Sequence, residues 1–276
     1  MKPASFEYVA PPSIEAAVGE LAAGGGEARV LAGGQTLGPL LNMRLAAPRC
    51  LVDIGRIASL KRLEVREEKL IVGAGITHAA IEDGIDPSTT GRMLAYVASG
   101  IAYRAIRNRG TIGGSLAHAD PAADWIATML LLDAVLVISG PSGDRQVSAR
   151  DFVTGVFSTA IGPSEILTAI EIPRLSAHAR WGYYKVCRKI GEFPEAIGAA
   201  VFDPARGVSR IVAGALDGPP ALLPTLAQAV ARDGMAAAGV SAVSEAVQAA
   251  APGIDPIDLR VHVAAVRRAI RQAIGP

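Results

Sequence analysis

Two glycine pairs constrain this chain more than any other feature. Gly33-Gly34 lies within Ala32-Gly33-Gly34-Gln35-Thr36, and Gly113-Gly114 within Thr111-Ile112-Gly113-Gly114-Ser115. Glycine admits positive φ and lets a ligand approach the main chain, so N–H groups in such a turn can face an anion while the Thr or Ser hydroxyl adds a donor. Around the first pair, Arg29-Val30-Leu31 reads as a short buried strand, and Leu37, Leu40, Leu41 and Leu45 form a helical stripe that Pro48 stops. Strand, tight turn and helix is the order that aims backbone N–H groups at phosphate. Two such N–H-rich turns suit a ligand with two linked phosphates, although taken singly each also reads as an ordinary turn.

The surrounding pattern mixes helices and strands. Ser13 caps a helix carrying Ile14, Val18 and Leu21, ended by Gly24-Gly25-Gly26. Strands are expected at Leu51–Ile54, at Lys69–Gly75, at Ala134–Ser139 with a return through Arg145–Val147, and at Glu165–Ile172, closed by Pro173. Ser99–Asp124 reads as irregular, with Asp124 capping an apolar helix, Trp125–Leu132. The pattern shifts near Ser176: strands at Tyr183–Arg188, Ile197–Phe202 and Ile211–Leu216 give way to alanine-rich helices, the last spanning Leu259–Ile274. The expected organisation is two domains, residues 1–176 and 177–276, with the seam near residue 176.

Several chemistries are disfavoured. A net charge of +1 gives no basic footprint for nucleic acid. The four histidines are scattered and the two cysteines, Cys50 and Cys187, form no C-x-x-C pair, so neither a zinc site nor an iron–sulfur cluster is expected here. The apolar run Trp125–Ser139 contains Asp133 and is too short to span a membrane. The N-terminus lacks a signal-peptide pattern, which makes the cytoplasm the expected compartment. Gly73-Ala74-Gly75-Ile76-Thr77-His78 begins like a dinucleotide fingerprint, but His78 stands where the third glycine belongs. Arg104, Arg107 and Arg109 form a basic cluster that reads as a solvated face, or as a contact for phosphate or a partner subunit.

Two long segments carry a family resemblance: AGGQTLGPLLNMRLAAPRCLVDIGRI (Ala32–Ile57) and RNRGTIGGSLAHADPAAD (Arg107–Asp124). Together with EILTAIEIP (Glu165–Pro173) and YYKVCRKIGEF (Tyr183–Phe193), the chain resembles the flavin-binding medium subunit of molybdenum hydroxylases, the family of carbon monoxide dehydrogenase, quinoline oxidoreductase and xanthine dehydrogenase. The resemblance implies an α+β fold: a vanillyl-alcohol-oxidase-type (PCMH-type) FAD-binding domain, residues 1–176, of two subdomains (about 1–56 and 57–176), plus a small C-terminal α/β domain, residues 177–276, of the CO-dehydrogenase flavoprotein type. It places Ala32, Gly33, Gly34, Gln35, Thr36 and Leu37 in a first diphosphate loop, and Thr111, Ile112, Gly113, Gly114 and Ser115 in a second. Asp124 falls at the ribose-binding acid, Leu167 at a flavin-contacting leucine, Lys185 at a flavin-side lysine, and Phe193 at a ring-stacking aromatic. Ser115 replaces an Asn common in the family, and Pro194 removes a backbone donor beside Phe193.

The resemblance also implies a division of labour. Molybdopterin-bound molybdenum and two [2Fe–2S] clusters are expected on a large and a small partner subunit, assembled as a dimer of heterotrimers. Substrate oxidation then belongs to a partner, with no catalytic residue or metal on this chain, and FAD here passes electrons to an external acceptor. The alternatives are a self-contained flavin oxidoreductase of the same fold superfamily and a non-catalytic structural subunit with a decayed flavin site.

Overall fold

The computed structural model describes residues 2–275. Its first sheet is parallel, with Cys50–Asp53 between Glu7–Val9 and Ala28–Leu31. Ser13 Oγ accepts from the Ala16 N–H at 3.2 Å and starts the helix Ile14–Ala23, whose Ala17, Val18 and Leu21 are buried. Parallel pairing sends the strands' carboxyl ends the same way, so Leu31 and Asp53 pair directly and the first glycine turn leaves from that end.

The second sheet is antiparallel, in the order Leu63–Val65, Lys69–Gly73, Ile166–Pro173, Val135–Gly140, Gly143–Ser148. A third, also antiparallel, runs Arg180–Val186, Ala196–Asp203, Val208–Gly214, Ala221–Leu222, with the long helix Pro256–Ile274 packed on it.

Between the second and third sheets lies the helix Asp124–Leu132, every residue of which is buried. A helix apolar all round must be covered on all sides. Here Val72, Ile170 and Ile172 of one sheet and Ile197, Val201 and Val212 of the other share a single hydrophobic cluster with it. The core therefore runs continuously past residue 176. At that crossing the Ser176 N–H and hydroxyl donate to the buried Asp203 carboxylate at 2.7 and 2.6 Å. Burial works against the Asp203 charge, but these bonds and Arg206 outweigh it and hold the carboxyl below its ordinary range.

Four expectations need correction. Ser99–Asp124 is not irregular: it contains the helices Arg104–Arg107 and Ile112–His118. Asp124 does not cap its helix. Ala123 holds the cap position, while the Asp124 carboxylate turns to Tyr183 and Lys185. The helix after the first glycine turn ends at Asn42, with Arg44 at φ 58°, rather than at Pro48, so Leu45 lies outside it and is 72% exposed. The strands Glu7–Val9 and Leu63–Val65 have no counterpart in the sequence pattern. Each has three residues and no buried one, leaving no alternation to read.

Beside Gly110, the Trp125 indole N–H donates to His78 Nδ1 at 3.1 Å, which fixes the proton of the neutral ring on Nε2. Burial, and then the nearby Arg107, pull the His78 imidazole from 6.5 down to about 4. The unfolded chain takes up this proton at higher pH than the folded one, so stability is full above about 6.5 and falls as the pH drops toward 4, by about 3 kcal/mol. Urea unfolding across this range is expected to show a clearly shallower pH dependence in His78→Gln than in the native chain; equal slopes would remove His78 as the cause.

Candidate functional site

The first loop leaves its strand through Ala32 and turns at Gly34, where φ is +73°. Among the described residues, the backbone N–H groups of Gly33, Gly34, Gln35, Thr36 and Leu37 donate to no acceptor. Main-chain donors withdrawn from water normally find partners, and these five residues are half-buried apart from Thr36. A run of unpartnered N–H groups at the carboxyl end of a parallel sheet fits an anionic group such as a diphosphate.

The second loop is built differently. Ile112 N–H donates to Ile76 O at 3.0 Å, Gly113 N–H to Ala74 O at 2.9 Å, and Ser115 N–H to Thr111 O at 3.1 Å, while Gly114 N–H meets Thr111 Oγ1 at 3.0 Å. The expectation of two N–H-rich turns is thus correct for the first loop only. What the second loop retains is the Thr111 N–H and the half-buried Ser115 hydroxyl, neither of which has a partner among the described residues. Its other role is to support the first. A Cβ on Gly33 would lie 2.1 Å from Arg109 O and 2.8 Å from Gly110 Cα, so the two loops touch backbone to backbone. The incomplete fingerprint at Gly73–His78 is the platform beneath: Thr77 bridges Thr111, and His78 N–H donates to Gly110 O at 2.9 Å.

Asp124 and Lys185 come together from opposite sides of residue 176. Lys185 Nζ lies 3.1 Å from both Asp124 oxygens, and the buried Tyr183 hydroxyl donates to Oδ1 at 2.7 Å. Burial, and then the Asp124 charge, push the Tyr183 hydroxyl well above its ordinary value, so it stays a donor. Asp124 begins its helix, and the Lys185 side chain rests against Gly100, where the helix Thr89–Ser99 ends, so each charge sits at the helix end that favours it. Asp124 Oδ2 keeps room for one more donor.

The remaining expected residues do not join this cluster. Leu167 is 4% exposed and packs in the main core, at an irregularity in its strand. Phe193 is 70% exposed. It borders an open groove of about 540 Å³ lined also by Arg188, Gly191, Glu192 and Glu195, and by no residue of either glycine loop. In the basic cluster, Arg104 pairs with Glu82 and Asp83 at 2.7 and 2.6 Å, and Arg107 is buried on Glu82 while donating to Ile101 O and Ala102 O. Both are structural. Among the described residues no trio of His, Cys, Asp or Glu side chains is placed to hold a metal ion, and no helix is long and apolar enough to cross a membrane.

Parallel sheet, anion-ready turn and shared core together define an α+β protein with a turn suited to a phosphate-bearing ligand. The family described as the FAD binding domain in molybdopterin dehydrogenase matches residues 4–175. The chain is 38% identical over 200 residues to the 6-hydroxypseudooxynicotine dehydrogenase complex subunit alpha of Paenarthrobacter nicotinovorans, covering 72% of this chain and 67% of that one. It is 39% identical over 207 residues to the carbon monoxide dehydrogenase medium chain of Afipia carboxidovorans, covering 75% and 72%. The crystal structure of quinoline 2-oxidoreductase from Pseudomonas putida 86 aligns with a TM-score of 0.88 at 32% identity, covering 99% of this chain and 98% of that one. The chain therefore belongs to the FAD-binding medium subunits of the molybdenum hydroxylases, a class of multi-subunit oxidoreductases.

The backbone contact at Gly33 yields a direct test. Gly33→Ala forces the loops apart and is expected to reduce FAD affinity about ten- to a hundredfold, with a matching fall in melting temperature. Flavin titration and thermal unfolding measure the two effects, and unchanged FAD binding would show that the loop contact does not shape the site.

Proposed function

We propose that this chain receives electrons from [2Fe–2S] clusters on a small partner subunit and passes them through FAD to an external acceptor. Substrate oxidation takes place at molybdopterin on a large partner. The observation that carries the FAD site is the run of unpartnered N–H groups from Gly33 to Leu37, braced by Arg109–Gly110. In this reading Ala32–Leu37 hold the diphosphate, and Thr111–Ser115 form the second wall, with Ser115 contributing its hydroxyl. Bound FAD supplies the one- and two-electron chemistry, and the protein supplies placement and electrostatics.

Asp124 takes a ribose hydroxyl on its remaining acceptor site, and Lys185 places positive charge beside the flavin, favouring the reduced, anionic form. The family resemblance adds Leu167 and Phe193 as flavin contacts, although neither joins the Asp124–Lys185 cluster. Residues 1–176 form the FAD clasp, and residues 177–276 a smaller domain bearing Lys185 and Phe193. Different named relatives act on carbon monoxide, quinoline and a nicotine derivative. That spread suits a chain whose complex selects substrate on another subunit. The assembly proposed is a dimer of heterotrimers in the cytoplasm.

Two measurements test this. The purified chain is expected to carry about one FAD and no stoichiometric iron or molybdenum; stoichiometric iron would overturn the assignment. Lys185→Met is expected to lower the midpoint potential of bound FAD, and the companion Asp124→Asn/Lys185→Met separates loss of the cation from exposure of an unpaired buried carboxylate. A potential unchanged in both would remove Lys185 from the flavin's surroundings.

A further inference from the structure

Arg109 differs from its neighbours in the basic cluster. Arg104 and Arg107 are committed to Glu82 and Asp83, whereas Arg109 is exposed and has no carboxylate within ion-pair distance among the described residues. Its Nε approaches Gly33 O at 3.5 Å, an oxygen that already accepts from Gln35 Nε2 at 3.2 Å. Its two terminal nitrogens donate to nothing among the described residues. The guanidinium is thus held beside the first loop by its own backbone, which touches Gly33, without being used by the fold.

The loop itself is electrically incomplete for a diphosphate. Five N–H groups from Gly33 to Leu37 offer dipoles but no net charge, and an anion withdrawn from water needs a counter-charge as well as donors. The first loop contains no Lys or Arg. A planar guanidinium with free terminal nitrogens matches two phosphate oxygens in a fixed fork, a geometry that an ammonium does not impose.

We propose that Arg109 is the cationic wall of the first diphosphate loop, binding the linked phosphates from the side opposite the Gly33–Leu37 N–H groups. It thereby makes the site selective for a dinucleotide flavin over flavins lacking the diphosphate. This rests on the FAD reading above. The second loop then acts on the ligand through Arg109, two residues before it, while the N–H groups of Ile112–Ser115 are engaged internally.

The test uses the full chain stripped of flavin and titrated with FAD at low and high salt, with riboflavin as the phosphate-free probe. Arg109→Gln is expected to weaken FAD binding about ten- to a hundredfold and to flatten its salt dependence, leaving riboflavin affinity within about twofold. Arg109→Lys, which restores charge without the fork, is expected to recover part of the loss. FAD affinity unchanged in Arg109→Gln, or riboflavin affinity falling in parallel, would overturn the proposal. A native chain that binds riboflavin and FAD equally well would overturn it too, while one that binds no FAD would overturn the FAD reading first.

Discussion

The structure depends on the complete burial of the helix Asp124–Leu132. Its apolar surface has no solvent side, so two sheets from different parts of the chain must close over it. That requirement brings the strand Arg180–Val186 across to the second sheet's helix and sets Lys185 and Tyr183 against Asp124. A carboxylate buried at the start of such a helix needs compensation, and the Lys185 ammonium, the Tyr183 hydroxyl and the helix terminus provide it together. Trp125 of the same helix reaches the other way and donates to His78, a ring that burial keeps neutral beside Gly110.

The two glycine pairs look alike in sequence and differ in their hydrogen bonds. After the first, the chain leaves a parallel strand with Gly34 in a left-handed conformation, and five successive N–H groups stay unpaired. After the second, the chain docks on Ala74, Ile76 and Thr111, which engage its N–H groups. One pair is a receptor for negative charge and the other a buttress that presses Arg109 and Gly110 onto it. Their contact is possible only because Gly33 has no Cβ.

Much of this was legible in the residues. The Ser13 cap, the strand before Gly33, the strand closed by Pro173 and the final helix follow from local periodicity and capping. Less legible was Ser99–Asp124, where short helices of four and seven residues carry too few turns to show a 3.6-residue period. The role of Asp124 was hidden for another reason. An Asp before an apolar helix reads as a cap, and only a strand some sixty positions later supplies the partners that draw it inward. The basic cluster was visible as three arginines, but the acids that take up two of them, Glu82 and Asp83, lie in a different helix and its end.

By itself, then, the sequence determined the pair of glycine turns, the mixed α+β order, the apolar central helix and the family to which the chain belongs, because each depends on residues close together in the chain. Tertiary structure decided which turn keeps its N–H groups free, which arginine keeps its charge unpaired, and that Asp124 meets Lys185. Those outcomes are settled by hydrogen-bond and charge partners distant in sequence. No local pattern encodes whether a donor will find such a partner once the core has closed.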